Sequence, residues 1–315
     1  MYSSFAASSS TENLLPSRSQ DHQYSPPEEC AHRAPCPGLN TLANHNYIPR
    51  SGTGITFLNL ISAVAKVYNL SLPLTLLLAL PGFIIYGRFN FPSCLPWTWS
   101  YTVDLADLAS FGPYKIAHPA SLVHPNYPSH APDPDLLFDF LSFARSHGQA
   151  EGSPSSPISC TLIKDLPSPS PPPSALSTSP LQPSAIRPVI TSGLSLFDFA
   201  QLRIARESQL SKPLNTLHEQ IALGESALTW LVFHQTGPSL SDKAGACAPP
   251  DHVDNDLIVP VDRLVSWFGE EKLPDRWFED VRPQNTIGLL QARRVAGQIQ
   301  KDTEILQWRK EASKV

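Results

Sequence analysis

The sequence PCPGLNTLANHNYIPR, residues 35–50, contains the strongest local signal in the chain. Pro37 suits the first position of a helix, where its missing N–H would have no partner in any case. Cys36 is then expected at the N-cap of a helix that runs through Leu39 and Leu42. Free backbone N–H groups and the partial positive charge at a helix N-terminus favour a thiolate over a thiol. The stretch therefore predicts that Cys36 can ligate iron, with N–H donation to the sulfur tuning its potential.

Residues 35–50 as a whole resemble the N-terminal signature of the haem-thiolate peroxidases, the family of chloroperoxidase and the fungal unspecific peroxygenases. Without this longer match, a lone loop cysteine would more often be an inert buried thiol. The resemblance continues at lower strength to about Gln291. It implies an all-α fold, a haem b cofactor with Cys36 as axial ligand to the iron, and Pro37 and Asn40 as cofactor-binding residues.

The chain is expected to hold a single chloroperoxidase-like domain over residues 29–315, preceded by a disordered tail over residues 1–28. Residues 150–190 contain a Ser/Pro-rich tract that cannot form a core and is predicted to be a flexible insertion. The N-terminus lacks the charged start and apolar core of a signal peptide, so we expect an intracellular, cytoplasmic protein.

Composition excludes several classes of function. The formal net charge is −5 and no Lys/Arg cluster is present, which argues against a nucleic-acid partner. The five cysteines are widely scattered and form no Cys-x-x-Cys pair, so neither a disulfide framework nor a zinc site is indicated.

Helical periodicity dominates the rest of the chain, and alternating strand patterns are almost absent. The predicted helices cover residues 54–68, 102–111, 135–146, 195–208, 213–234, 260–269 and 283–300. Residues 70–87 are nearly all apolar and could be interpreted as a membrane span, but Pro73 and Pro81 interrupt them. We therefore predict a buried helix from Pro73 to Ala79, a break after it, and no membrane span.

A second signature of the family, Glu-His-Asp or Glu-Gly-Asp, corresponds here to Ala117-His118-Pro119. In the family the glutamate helps to bind Mg²⁺ or Mn²⁺ beside a haem propionate, and a serine matching Ser121 is another ligand. Ala117 and Pro119 lack the carboxylate oxygens that hard cations prefer, which weighs against this cation site. The resemblance gives His118 a catalytic role in support of the acid–base group; the alternative is a loop histidine without a role.

Peroxide activation requires a carboxylate that takes a proton from one peroxide oxygen and returns it to the other. In the family this is a glutamate on a helix in the second half of the chain. The run from Arg203 to Ser208 resembles an Arg-x-x-Glu-Ser run of short family members, so Glu207 is predicted as the acid–base group, with Arg203 or Arg206 as its partner. The alternative is a solvated Arg203–Glu207 pair, one helical turn apart. Glu225 is assigned a structural role.

The predicted function is a haem-dependent peroxidase or peroxygenase that uses hydrogen peroxide to oxidise a small organic substrate. The resemblance to accessory peroxidases of fungal polyketide and mycotoxin pathways implies an aromatic or polyketide substrate in secondary metabolism. One alternative is a haem-binding pathway protein with altered, non-peroxidatic chemistry, motivated by Ala117 and Pro119. Another is a membrane-anchored interaction protein with residues 70–87 as its anchor, which would leave residues 35–50 unexplained.

Overall fold

The computed structural model describes residues 22–90, 100–110, 112–122, 132–147, 191–236 and 257–313. Most of this described chain is helical. The α-helices are α1 (Pro37–Asn44), α2 (Phe57–Tyr68), α3 (Leu72–Tyr86), α4 (Pro134–Ser142), α5 (Leu196–Ser208), α6 (Thr216–Phe233), α7 (Val261–Leu264) and α8 (Leu289–Ala312). A 3₁₀ turn covers Leu105–Ala109, and π-helical turns cover Val265–Gly269 and Trp277–Val281.

Besides the helices, the described chain contains two small antiparallel sheets. The all-α prediction did not include these sheets. The strands are β1 (Ile55–Thr56), β2 (Arg88–Asn90), β3 (Ser100–Val103), β4 (Arg145–His147), β5 (Thr191–Leu194), β6 (Gln235–Thr236) and β7 (Leu257–Pro260). They pair in the orders β1-β3-β2 and β4-β5-β7-β6, with Ile55 opposite Val103 and Gly193 opposite Pro260. Strands this short cannot establish the alternating pattern by which a sequence indicates a sheet.

The N-terminal helix α1 begins as the sequence predicts. Cys36 is its N-cap, with extended backbone angles, and Pro37 lies in the first turn. The helix packs closely on the core at Gly38, where an added Cβ would lie 3.2 Å from Trp267 Cζ2. The Tyr68 hydroxyl donates to the Gly38 carbonyl at 2.7 Å. Together these contacts fix the start of α1 against α2 and the turn Val265–Gly269.

The apolar segment 70–87 differs from its prediction. It forms one continuous helix, α3, with Pro81 inside it rather than a break. Packing compensates for the hydrogen bond that Pro81 cannot donate, because Phe83 is buried and makes an edge-to-face contact with Phe57 of α2. The expected burial of Pro73 to Ala79 is also incomplete, since Leu77 and Leu78 are 56% and 43% exposed. No helix in the described ranges has both the length and the apolar character to cross a bilayer.

The second half of the described chain packs α8 against α5 and α6. Local caps set the helix starts: Ser195 and Asp198 form a capping box on α5, and Asn215 accepts from the His218 N–H at the start of α6. The last helix was predicted over 283–300, but it begins at Leu289 and continues to Ala312. Its C-terminal part was not predicted because charged residues there obscure the apolar period.

The predicted tail and insertion fall mostly outside the described residues. Residues 22–28, assigned to the tail, lie against the domain: the Ser25 N–H donates to the Asn44 carbonyl at 3.0 Å, and the His22 and Tyr47 rings stack at 3.9 Å. Residues 1–21 and 148–190 are not described.

Candidate active site

The Cys36 sulfur lies at the N-terminus of α1, where the backbone N–H groups of Leu39 and Gly38 donate to it. The residue is exposed, yet burial is the main cause that raises the pKa of its thiol to about 11. Glu225 and Glu271 raise the pKa further, and the two N–H donors oppose the rise. The effect of burial on the pKa of Cys36 therefore outweighs the effect of the helix N-terminus, which by itself would favour the thiolate.

A network of buried polar side chains joins α1 to the residues before it and to Glu271. The Asn40 side chain bonds the Ala34 backbone at both N–H and carbonyl, at 2.8 and 2.7 Å, and donates to Glu271 Oε1 at 2.6 Å. Asn44 donates to the Glu271 carbonyl at 3.1 Å and accepts from the Arg33 guanidinium. Asn40, predicted to bind the cofactor, is fully buried and fixes the chain that leads into Cys36.

Glu225 of α6 lies close enough to Cys36 to raise the pKa of that thiol. Its Oε2 is 3.0 Å from His118 Nε2. The histidine side chain is 2% exposed and the glutamate side chain 57% exposed. His118 is thus a buried anchor, while the carboxyl that it holds is open to solvent. The arrangement places the Cys36 sulfur near a fixed but accessible carboxyl.

Arg206 holds the segment that carries His118. Its guanidinium donates to the carbonyls of Pro119 and Ser121, at 2.9 and 3.1 Å. The Ser121 hydroxyl donates to the His118 carbonyl at 3.0 Å. Ser121, predicted as a cation ligand, thus bonds its own turn. Within the described ranges, no three His, Cys, Asp or Glu side chains come together to hold a metal ion.

Glu207 and Arg203, predicted as the acid–base group and its partner, lie one turn apart on α5. Arg203 Nε is 2.7 Å from Glu207 Oε1, and both side chains are partly buried. Glu207 lines a groove between α5 and α8 together with Gln307 and Lys310. The structure therefore brings His118 together with Glu225, and pairs Glu207 with Arg203, one turn away on the same helix.

Sequence analysis assigned Glu225 a structural role and did not single out Glu271. His118 and Glu225 are 107 positions apart, and Asn40 and Glu271 are 231 apart. No local spacing connects either pair. Their only signal in the sequence is that each is an acidic residue beside apolar positions of a helix or turn.

The residues around Cys36 fit a haem iron. A thiolate is a soft ligand suited to iron, and N–H groups that donate to the sulfur adjust its charge. Cys36 is an exposed residue, and the Glu225 carboxyl lies within electrostatic range of its sulfur. These residues could hold an iron through the Cys36 sulfur, with the Glu225 carboxyl near enough to carry a proton.

The sequence matches the family described as peroxidase, family 2, over residues 22–282. Similar curated proteins include an aromatic peroxidase of Fusarium equiseti, 41% identical over 69 residues, which are 21% of this chain and 16% of the relative. A dothistromin biosynthesis peroxidase of Dothistroma septosporum is 45% identical over 51 residues, 16% of this chain and 12% of the relative. An aromatic peroxygenase of Coprinellus radians is 45% identical over 49 residues, 16% of this chain and 18% of the relative.

The aligned parts of these relatives are short, since each covers less than a fifth of the relative's own length. The family match, in contrast, covers most of this chain and includes Cys36, His118 and Glu225. The family resemblance drawn from residues 35–50 is thereby confirmed. The chain belongs to family 2 of the peroxidases.

Proposed function

We propose that this chain is a haem-thiolate peroxidase or peroxygenase that uses hydrogen peroxide to oxidise a small organic substrate. The observation that carries the proposal is the proximity of Cys36 to the His118–Glu225 pair. Cys36 would hold haem b through its sulfur. When bound, haem supplies the iron at which the peroxide O–O bond is cleaved.

Cys36 must lose its proton to become this ligand, because the thiolate is the form that binds metals. The N–H groups of Leu39 and Gly38 then share the negative charge of the sulfur. Their donation limits how strongly the thiolate pushes electrons, so the first turn of α1 sets the electronic character of the site.

Glu225, rather than Glu207, is our candidate for the acid–base group. Its carboxylate is accessible, and it can take a proton from one peroxide oxygen and return it to the departing one. His118 orients the carboxyl through its Nε2, and Arg206 in turn fixes the segment of His118. Glu207 points to the groove at α8, which supports its exclusion.

The names of the relatives guide the choice of substrate. Two are called aromatic peroxidase or aromatic peroxygenase, and a third is a peroxidase of dothistromin biosynthesis. We extend this to the present chain as an aromatic or polyketide substrate in secondary metabolism. Substrate oxidation could then be assayed with a small aromatic electron donor.

Thiolate ligation can be tested by an absorption spectrum of the ferrous protein with carbon monoxide, after expression with haem supplied. We expect a strongly red-shifted Soret band in the wild type that is lost in Cys36→Ala. Cys30→Ala is the matched control, because Cys30 is also free and exposed. A wild-type spectrum that survives the loss of Cys36 would refute the assignment.

The acid–base assignment can be tested with peroxide turnover of Glu225→Gln and Glu207→Gln. We expect the first to lose about 100-fold or more in rate, the usual contribution of a positioned acid–base group, while the second stays near wild type. The reverse result would return the role to Glu207. Haem uptake with no peroxide consumption in the wild type would instead indicate the non-peroxidatic alternative.

A further inference from the structure

Glu271 is a buried carboxyl for which the proposed chemistry has no use. It is 8% exposed and follows the π-helical turn Val265–Gly269. Its backbone φ is +49°, a left-handed conformation that residues other than glycine rarely adopt. Such strain persists only where the surrounding contacts require it. The contacts of Glu271 therefore indicate what it does.

The Glu271 side chain acts on the chain that leads into Cys36. Its Oε1 accepts from Asn40 Nδ2 at 2.6 Å, and the same amide group bonds the Ala34 carbonyl at 2.7 Å. Ala34 lies two positions before Cys36, and its N–H donates to Asn40 Oδ1 at 2.8 Å. A carboxyl from a distant segment thus orients the amide that closes the loop before α1.

The backbone of Glu271 supports the same helix one turn later. Its carbonyl accepts from Asn44 Nδ2 at 3.1 Å, and the Arg33 guanidinium holds Asn44 from the other side. Burial is the main cause that raises the pKa of Glu271, with Asn40 and Arg33 opposing the rise. Burying such a group is a poor route to stability, which favours a role in placing its neighbours.

We propose that Glu271 is a positioning residue for Cys36. By orienting Asn40 it fixes the first turn of α1, so that the N–H groups of Leu39 and Gly38 stay directed at the sulfur. That the sulfur so placed is an iron ligand rests on the proposed function. The placement itself is a property of the folded chain and can be measured without haem.

The test is the rate at which iodoacetamide alkylates Cys36 in the haem-free full chain at pH 9. Trypsin releases residues 34–50 with Cys36 and residues 19–33 with Cys30, so mass spectrometry measures both thiols in one digest. Glu271→Gln removes the charge but keeps an oxygen for Asn40. Glu271→Ala removes both. Glu270→Ala is the matched control at the adjacent exposed position.

Loss of the Glu271 charge alone should speed alkylation equally in both Glu271 variants, because this charge raises the pKa of Cys36. Loss of the hydrogen bond to Asn40 should slow alkylation of Cys36 only in Glu271→Ala, because glutamine keeps an oxygen for that bond. We expect Cys36 of Glu271→Ala to react about threefold more slowly than Cys36 of Glu271→Gln, because weakening one hydrogen bond to the thiolate lowers the thiolate fraction more than it raises the nucleophilicity of the sulfur. Cys30 and the Glu270→Ala variant should react as in the wild type.

Equal rates in the two Glu271 variants would overturn the proposal, because Glu271 would then act by charge alone. If Glu271→Ala does not fold, Asn40→Ala removes the same contact from the other side and should slow Cys36 to the same degree. A wild-type rate in Asn40→Ala would also overturn it. Failure of haem uptake would refute the proposed function. It would not change the conclusion on the placement of Cys36, because alkylation is measured without haem.

Discussion

Replacing Glu271 by glutamine should remove a pH-dependent penalty on folding. Burial raises the pKa of this carboxyl from 4.5 to about 7. The folded state then binds the proton more tightly than the unfolded state. Glu271 consequently costs nothing below pH 4.5, destabilises the fold progressively as the pH rises to about 7, and imposes a constant penalty above that.

The size of this penalty follows from the same difference. At about 1.4 kcal/mol for each pKa unit, it reaches about 3 kcal/mol, most of which develops between pH 5 and pH 8. Glutamine keeps the acceptor for Asn40 and cannot ionise. Relative to the wild type, Glu271→Gln should therefore gain about 2 to 3 kcal/mol in free energy of unfolding between those two pH values.

Urea denaturation of both proteins at pH 5 and pH 8 measures this difference, and all other titrating groups cancel in the comparison. A constant cost from burying the amide also cancels, because it does not change with pH. Glu270→Gln, at an exposed position, should show no such trend. A stability difference between wild type and Glu271→Gln that is the same at both pH values would refute the reasoning.

Three further predictions concern the candidate site. Arg206→Gln should lower peroxide turnover about tenfold and leave haem uptake unchanged. The reason is that one neutral amide cannot replace the two charged hydrogen bonds by which Arg206 fixes the His118 segment. Unchanged turnover would contradict this prediction. Since the pKa of Cys36 is about 11, haem loading should release a proton, and its apparent affinity should rise about tenfold per pH unit below pH 11. A spectroscopic haem titration of wild type and Cys36→Ala measures this slope, which the variant should lack. Tyr68→Phe should lower the free energy of unfolding by about 1 to 3 kcal/mol in urea, because it leaves the buried Gly38 carbonyl without its hydroxyl donor.

Local patterns in the sequence predicted local structure well. The N-cap at Cys36 follows from Pro37 and the apolar positions after it, all within one helical turn. Most helices follow from their apolar period and their caps. The continuity of α3 through Pro81 does not, because the contact that compensates for the missing hydrogen bond comes from Phe57 on another helix.

The candidate site was only partly accessible from the sequence. Arg203 and Glu207 are four positions apart, a spacing that suits an ion pair on one helix as well as a catalytic pair. The sequence pattern could not separate the two. The pairing of His118 with Glu225 depends on how α6 docks against the segment after Ala117, and that is decided by packing across the whole domain.

The separation of these partners along the chain has a consequence for how the protein acquires its activity. Glu225 reaches His118 over 107 residues, and Glu271 reaches Asn40 over 231. Contacts between such distant residues form later and more slowly than the helical turn around Cys36, because long loops must first close. A chain in which α6 has not yet docked would possess the Cys36 sulfur without the Glu225 carboxyl beside it. Recovery of peroxide turnover during refolding should therefore lag behind recovery of helical structure, which makes turnover a measure of completed long-range assembly.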